Sequence, residues 1–182
     1  MKRVLLLVTV ALMLAAAMAL SGVAAWAAQG GNKANAQCRA EAVRTLQPGF
    51  KPSNYNFVGG TAGNDRLDGL GSNDAPDVFC GFGGDDLIGN LAEDDIFLGG
   101  AGNDVDAVNY GTFYGGPGND VVDSINYGTF YGDDGDDSVF ISFGTFYGGA
   151  GNDYVDNNEF GTFYGGPGDD TVGSGQPPRE EP

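Results

Sequence analysis

The 182-residue chain contains no histidine and very few basic residues. Between Arg66 and Arg179 there is no lysine or arginine, although that stretch carries 21 of the 25 acidic residues. The lack of histidine excludes a Ser-His-Asp or Cys-His catalytic arrangement and a histidine-ligated zinc site. The lack of cationic surface makes nucleic acid and anionic lipid poor partners. We therefore expect a protein that is not an enzyme, with a partner that neutralises acid.

Long apolar runs are also absent, except at the N-terminus. Met1-Lys2-Arg3 precedes the apolar run Val4 to Leu20, and Ala25-Trp26-Ala27 fits a small-x-small cleavage site. This pattern predicts a signal peptide at residues 1–27 and a secreted, extracellular protein with no membrane contact after cleavage. An uncleaved membrane anchor is the alternative. In an exported protein, the two cysteines, Cys38 and Cys80, suggest a disulfide, with two buried thiols as the alternative.

The chain does contain a short internal repeat. The pentapeptide GTFYG starts at Gly111, Gly128, Gly144 and Gly161, and each copy runs into a glycine- and aspartate-rich segment. A period of 16 or 17 residues predicts a solenoid whose coils contact only their neighbours. Carboxylates stacked one strand spacing apart, about 4.8 Å, repel each other. With no basic residues nearby, a divalent cation is the economical way to neutralise them.

The alternation within each repeat predicts which side chains form the core. We expect one phenylalanine per coil to point inward, opposite one valine, which gives the columns Phe113, Phe130, Phe146, Phe163 and Val122, Val139, Val155, Val172. The roll is expected over residues 58–173. Residues 28–57 are expected to form an N-terminal cap or linker, with a helix from Ala36 to Leu46 and Asn35 as its N-cap. Residues 174–182 are expected to be a disordered tail.

The glycine-rich segments match the nonapeptide G-G-x-G-x-D-x-U-x, where U is a large apolar residue. The copies are 60–68, 81–89, 90–98, 99–107, 115–123, 132–140, 148–156 and 165–173. They resemble the repeats-in-toxin (RTX), or haemolysin-type, calcium-binding family. The resemblance implies an all-β fold, a parallel β-roll of about 16–18 residues per coil, with several Ca²⁺ ions between stacked turns. It implies that the ligands are turn carbonyls and the aspartates Asp65, Asp77, Asp86, Asp95, Asp104, Asp120, Asp137, Asp153 and Asp170.

The two sides of the predicted roll differ. Counting half-coils puts seven of these aspartates in one row with about six gaps for calcium: Asp65, Asp86, Asp104, Asp120, Asp137, Asp153 and Asp170. The other side begins with Asp77 (or Asp74) and Asp95, and then has glycine at the sixth position: Gly111, Gly128, Gly144 and Gly161. We therefore predict that metal is bound on one side only in the C-terminal half. Asp106 occupies an expected inward position, so its coil is predicted to shift register and use Val105 or Val108 instead.

The sequence thus predicts a secreted calcium-binding repeat protein, ordered by its ions, that acts as a structural or adhesion and interaction module. The alternative is recognition of a glycan, a protein or ice on the metal-free side, with a glycan or protein partner at the cell exterior. The candidate ladder there is Thr112, Thr129, Thr145, Thr162, Tyr114, Tyr131, Tyr147 and Tyr164. A second aromatic row is expected at Tyr110, Tyr127, Phe143 and Phe160. Stacked identical residues that merely stabilise neighbouring coils are a third interpretation.

Overall fold

The computed structural model describes residues 33–46, 48–67 and 75–180. The predicted signal peptide at 1–27 and the alternative ligand Asp74 lie outside these ranges. Contacts divide the chain into the units Met1–Ala34 and Asn35–Pro182, and the fold described here is that of the second unit. No helix among the described residues is long and apolar enough to cross a membrane.

Short strands dominate the described part of the chain. Helix α1 covers 33–45 and a 3-10 helix covers Pro52–Asn54. The strands are β1 (Asn56–Gly59), β2 (Asp77–Gly83), β3 (Leu87–Ile88), β4 (Ile96–Ala101), β5 (Val105–Asn109), β6 (Thr112–Pro117), β7 (Val121–Asn126), β8 (Thr129–Asp134), β9 (Ser138–Ser142), β10 (Thr145–Ala150), β11 (Tyr154–Asn158), β12 (Thr162–Tyr164) and β13 (Thr171–Gly175).

From β2 onward, consecutive strands belong to opposite sheets, and both sheets are parallel. The first sheet has the order β1-β2-β4-β6-β8-β10-β12 and the second has the order β13-β11-β9-β7-β5-β3. Each strand therefore pairs with the equivalent strand of the next coil, and equivalent residues align, as in Phe113↔Phe130 and Val122↔Val139. The predicted parallel β-roll is confirmed as a solenoid of about seven coils.

The core is a single seam between the two sheets. From the first sheet, Phe79, Phe97, Phe113, Phe130, Phe146 and Phe163 form a fully buried column whose neighbouring rings, from Phe97 onward, stack at 4.6–4.9 Å. The facing column includes Leu67, Ile88, Val122, Val139 and Val155, with Val172 partly buried at its end. The predicted inward columns are confirmed. Since each coil adds one aromatic and one aliphatic side chain, the core is only one residue wide per sheet.

Asp106 interrupts the aliphatic column, and the predicted register shift at this residue is wrong. Asp106 pairs with Ile88 on one side and Val122 on the other, so it keeps the inward position and is fully buried. The register changes only after it, between Asp106 and Val108. Continuous pairing with the coils on both sides holds the strand in place, even though a carboxyl group then enters the core. Burial raises the pKa of Asp106 to about 7.

The segment before the roll packs on its first coils. Cys38 in α1 and Cys80 in β2 form a disulfide, as predicted, with their Cα atoms 5.5 Å apart. Around it, Ala42 of α1 packs with Val78 and Leu98 of the roll. The helix begins at residue 33, so Asn35 lies within it and is not its N-cap. The Asn35 side chain instead accepts a hydrogen bond from Gly59 N at 3.0 Å, which ties the helix to β1.

The C-terminal end of the roll extends beyond the predicted boundary at residue 173. Strand β13 runs to Gly175 and pairs with β11 over its length. Further along, Arg179 N donates to Phe163 O at 2.7 Å, and Arg179 forms a parallel bridge with Tyr164. Residues of the predicted tail therefore pair with the edges of the last coil.

Candidate metal centre

Seven aspartates form one continuous row along one side of the roll. In each turn the backbone N–H of the aspartate donates to Oδ1 of the aspartate one coil later, at 2.7–3.0 Å. This aspartate row consists of Asp65, Asp86, Asp104, Asp120, Asp137, Asp153 and Asp170. Its members are those that the nonapeptide positions predicted, and the hydrogen bonds fix one carboxylate oxygen of each member after the first.

The second carboxylate oxygen of five members has no partner. In Asp86, Asp104, Asp120, Asp137 and Asp153, Oδ2 is fully buried and accepts no hydrogen bond, and these residues are 0–1% exposed. A buried carboxylate oxygen without a partner is costly, since burial removes water without replacing it. A cation beside each of these five oxygens would supply the partner that the protein itself does not.

Backbone carbonyls converge on the same places. A Cβ atom built on Gly132, the first residue of its turn, would lie closer than 3.0 Å to both Asp137 Oδ2 and the carbonyl oxygen of Gly148 in the next coil. The same pair of oxygens, one from a carboxylate and one from the next turn, flanks Gly81, Gly99 and Gly148. Glycine is therefore required at the start of these turns, because a side chain would fill the space that the oxygens share.

Burial also raises the pKa of the five carboxyl groups that have an unpartnered oxygen. The pKa is about 6 for Asp86 and Asp153, about 7 for Asp104 and Asp137, and about 8 for Asp120. Neighbouring carboxylates raise it further, whereas the backbone N–H bond to each group lowers it. Asp120, in the middle of the row, has carboxylates on both sides. A bound cation would lower these pKa values, because its positive charge offsets both the burial and the repulsion between neighbouring carboxylates and so favours the ionised form.

The donor set fits calcium better than a softer metal. Within residues 33–46, 48–67 and 75–180, no three or more His, Cys, Asp or Glu side chains come together in a group that could hold a metal. A site between two turns must therefore combine few carboxylate oxygens with several carbonyls. Calcium accepts such mixed oxygen shells in flexible geometry, and zinc and other thiophilic or imidazole-seeking ions do not.

The two ends of the aspartate row differ from its middle. Asp65 Oδ2 accepts hydrogen bonds from Thr61 N at 2.6 Å and Thr61 Oγ1 at 2.9 Å, so it has partners within its own turn. Asp170 accepts from Asp153 N, but no further coil follows its turn. Of the six gaps between the seven turns, five therefore have an unpartnered carboxylate oxygen that faces a following turn.

On the opposite side, Asp77 and Asp95 reproduce the arrangement once. Asp77 N donates to Asp95 Oδ1 at 2.8 Å, and Asp77 Oδ1 is buried without a partner. Burial raises the pKa of Asp95. The sequence left open whether Asp77 or Asp74 occupies the sixth position of this nonapeptide. The hydrogen bond to Asp95 assigns it to Asp77.

A second ladder runs beside the aspartate row at the preceding residue of each turn. Here the side-chain oxygen accepts from the backbone N–H one coil later, at 2.7–3.0 Å, in the opposite direction to the aspartate row. This outer row is Asn64, Asp85, Asn103, Asn119, Asp136, Asn152 and Asp169, all exposed. Both asparagine and aspartate occur in it and make the same hydrogen bonds, so its carboxylates are interchangeable with amides.

In the C-terminal half, the side opposite the aspartate row is filled largely by amides, which sequence reasoning missed. Asn109, Asn126 and Asn158, the amide row, are buried inside the turns that precede GTFYG, and Ser142 is buried at the equivalent position of the third of these turns. Asn109 Nδ2 donates to Asn126 Oδ1 at 2.9 Å, and Asn126 Nδ2 donates to Thr145 O at 3.1 Å. The only sign of this row in the sequence was the triplet NYG, which occurs twice. It was not recognised because asparagine near glycine is also typical of ordinary turns.

The GTFYG glycines explain why this side carries no aspartate ligand. A Cβ atom at Gly128 or Gly144 would lie closer than 3.0 Å to the carbonyl oxygen of the equivalent glycine one coil earlier. The turns are therefore stacked too closely for a side chain. Amide side chains provide the links between coils here, where the opposite side has paired carboxylates.

The predicted threonine and tyrosine ladder lies in register on the outer face of the first sheet. Thr112, Thr129, Thr145 and Thr162 pair in succession, as do Tyr114, Tyr131, Tyr147 and Tyr164. The tyrosine rings are parallel within 9° and spaced 4.8–4.9 Å apart. Tyr110, Tyr127, Phe143 and Phe160 form a second stack at the corner, with exposed fractions of 41–70%.

Comparison with protein families gives the same assignment as the geometry. The family model for the RTX calcium-binding nonapeptide repeat matches the chain in four copies, at residues 57–75, 112–124, 145–159 and 162–176. No curated protein and no solved structure matched the chain. RTX repeats bind calcium in general, and the matched copies contain four of the seven members of the aspartate row: Asp65, Asp120, Asp153 and Asp170. Four segments of the chain therefore match the calcium-binding nonapeptide repeat of the RTX family.

Proposed function

We propose that the chain is an extracellular structural protein whose roll is completed by six calcium ions. Five occupy the gaps beside Asp86, Asp104, Asp120, Asp137 and Asp153, and one lies between the turns of Asp77 and Asp95. The observation that carries this proposal is the buried Oδ2 atom without a partner, repeated in five successive turns of the aspartate row. Each ion would replace the missing hydrogen-bond donor and cancel the repulsion along the row.

Calcium binding and folding are coupled in this proposal. Without ions, the row buries carboxyl groups that must either remain protonated or repel each other, and the core seam is too thin to offset that cost. Ion binding then contributes directly to the free energy of folding. A low-calcium cytoplasm would keep the chain unfolded for export, and a high-calcium exterior would order it.

Circular dichroism during a calcium titration tests this coupling, with magnesium as the matched control ion. We expect the strand signal to appear with calcium and to be lost on chelation, because magnesium demands a stricter octahedral shell and releases its water reluctantly. A full strand signal in chelator would refute the folding switch.

Secretion is supported by the apolar N-terminal sequence and by the disulfide, since such bonds persist in oxidising compartments. Expression of the full chain followed by mass spectrometry of the culture medium tests it. A mature protein starting after Ala27 is expected, whereas a membrane-retained product of full length would favour the anchor.

Since the acids form a repeated row with no single distinctive pair, a structural role explains them better than catalysis.

A recognition surface on the metal-free side is a second candidate, favoured by the exposed corner stack. Phe160 is 70% exposed and ends that stack, so one of its ring faces is uncovered. Inner rings such as Tyr127 have neighbours on both faces and offer only their edges. Sugar stacking needs a free ring face, so the geometry favours a protein partner over a glycan. A glycan array tests for a sugar ligand and a thermal hysteresis assay tests for ice. A pull-down that succeeds with the unmodified chain and fails with the Phe160→Ser variant would identify a protein partner.

A further inference from the structure

Thr61 distinguishes the first turn of the aspartate row from the six that follow. In those six turns, the residue after the first glycine has a positive φ: Phe82, Gly100, Gly116, Asp133, Gly149 and Gly166. Thr61 has no positive φ; among the described non-glycine residues only Phe82, Asp94 and Asp133 do. A β-branched residue is disfavoured in that conformation, so the backbone of the first turn takes another path.

The different path directs hydrogen-bond donors into the first turn. Thr61 N and Thr61 Oγ1 both donate to Asp65 Oδ2, and Thr61 Oγ1 accepts from Gly63 N at 3.2 Å. Gly63 O also lies 3.2 Å from this hydroxyl. The hydroxyl thus occupies the space between a carboxylate oxygen and a turn carbonyl.

The carboxylate of Asp65 is also placed differently from the carboxylates of the other six turns. A Cβ atom on Gly60 would lie 2.7 Å from Asp65 Oδ2, farther than the corresponding distance at any of the other six turns. Asp65 is also partly exposed, whereas the five carboxylates with an unpartnered oxygen are 0–1% exposed. Its backbone nevertheless stays in the row, because Asp65 N donates to Asp86 Oδ1 at 2.8 Å.

We propose that Thr61 closes the first gap of the row to calcium, acting as a built-in substitute for the ion at the N-terminal end of the roll. Its two donors satisfy the oxygen that a cation would otherwise bind. The first turn is then ordered without metal, next to the disulfide and α1. This proposal rests on the proposed calcium row, and it names the residue that sets where the row begins.

The Thr61→Gly variant tests the proposal by the number of ions bound, measured by equilibrium dialysis or native mass spectrometry. Glycine adopts a positive φ at no steric cost and carries no hydroxyl. We expect Thr61→Gly to bind one more calcium ion than the unmodified chain, and Thr61→Ser, which keeps the hydroxyl, to bind the same number. In Thr61→Gly, the added change Asp65→Asn should remove the extra ion. Equal ion counts for Thr61→Gly and the unmodified chain would overturn the proposal.

A second variant keeps the test independent of how Thr61→Gly folds. In the unmodified chain, Asp65→Asn should leave the ion count unchanged, whereas Asp104→Asn should lower it. Loss of an ion in Asp65→Asn would overturn the role of Thr61 while leaving the calcium row intact. If the unmodified chain binds no calcium, the proposed function fails and the inference fails with it.

Discussion

Asp120 N donates to Asp137 Oδ1 at 2.7 Å, while Oδ2 of Asp137 is buried without a partner. The two oxygens of one carboxylate therefore have separate roles. One holds the preceding coil through its backbone, and the other faces the gap to the next coil. Because every middle coil repeats this division, calcium binding at one turn also fixes the position of the turn before it.

Asp137→Asn should remove about one bound ion and weaken the site next to it, because the amide has one fewer anionic oxygen for the cation. Asp136→Asn is the matched control, one residue away in the exposed outer row, where asparagine already occurs at equivalent positions. Isothermal titration calorimetry of both variants measures the difference. Similar losses in the two variants would mean that calcium is attracted by general negative charge and not bound in the gaps.

Gly132→Ala should abolish binding beside Asp137 and destabilise the roll, since the new methyl group meets Asp137 Oδ2 and Gly148 O. We expect a loss of about 1–3 kcal/mol in unfolding free energy, as for other buried clashes. Gly63→Ala is the control, because a Cβ atom there has no neighbour within 4 Å. Urea unfolding in saturating calcium compares the two variants. Equal stability would contradict the close approach of Asp137 Oδ2 and Gly148 O to Gly132.

Asn126→Ala should destabilise the roll without changing the number of bound ions. The substitution removes a buried amide that bridges Asn109 and Thr145, and leaving their groups unpaired costs about 1–3 kcal/mol. Calcium stoichiometry and urea unfolding on the same sample separate the two properties. A lowered ion count would show that the two sides of the roll are coupled more tightly than the geometry indicates.

Without calcium, stability should fall as the pH rises from about 5 to about 8. The pKa of the buried carboxyl groups is raised from 3.8 to about 6–8 in the folded protein, so the folded state binds more protons than the unfolded state between these values. That stabilisation is complete near the unfolded pKa and is lost as the pH passes through the folded pKa.

With calcium present, the same dependence should reverse, because protons compete with the ion for the carboxylates. Circular dichroism in chelator at both pH values measures the residual strand signal, and urea unfolding in calcium at the same pH values provides the comparison. Greater stability at pH 8 than at pH 5 in chelator would contradict the burial of these acids.

Period and alternation predicted a solenoid and its two columns of core side chains, because each coil repeats the same local chemistry. The resemblance to the RTX nonapeptide predicted the parallel roll and the members of the aspartate row. Exceptions within a coil were not predictable. Asp106 remains inward because pairing with Ile88 and Val122 outweighs the preference of one carboxylate for water. The local pattern around Asn35 resembled a cap, yet its partner is Gly59, distant in sequence.

The boundaries of metal binding were also hidden in the sequence. Thr61 differs from its counterparts through its backbone conformation, and the amide row depends on contacts between coils that no single repeat displays. Both features replace ions with hydrogen-bond donors. Thr61 and the amide row both lie where the chain departs from the nonapeptide pattern, so the pattern itself could not predict them.

Equilibrium dialysis of the disulfide-intact chain against calcium tests the central claim most directly. We predict six bound ions, falling to five in Asp137→Asn and remaining six in Asp136→Asn. Each ion corresponds to one aspartate oxygen that is buried without a partner, in Asp77 and in the five middle members of the aspartate row. Absence of bound calcium at millimolar concentration, or the same loss in both variants, would contradict the account.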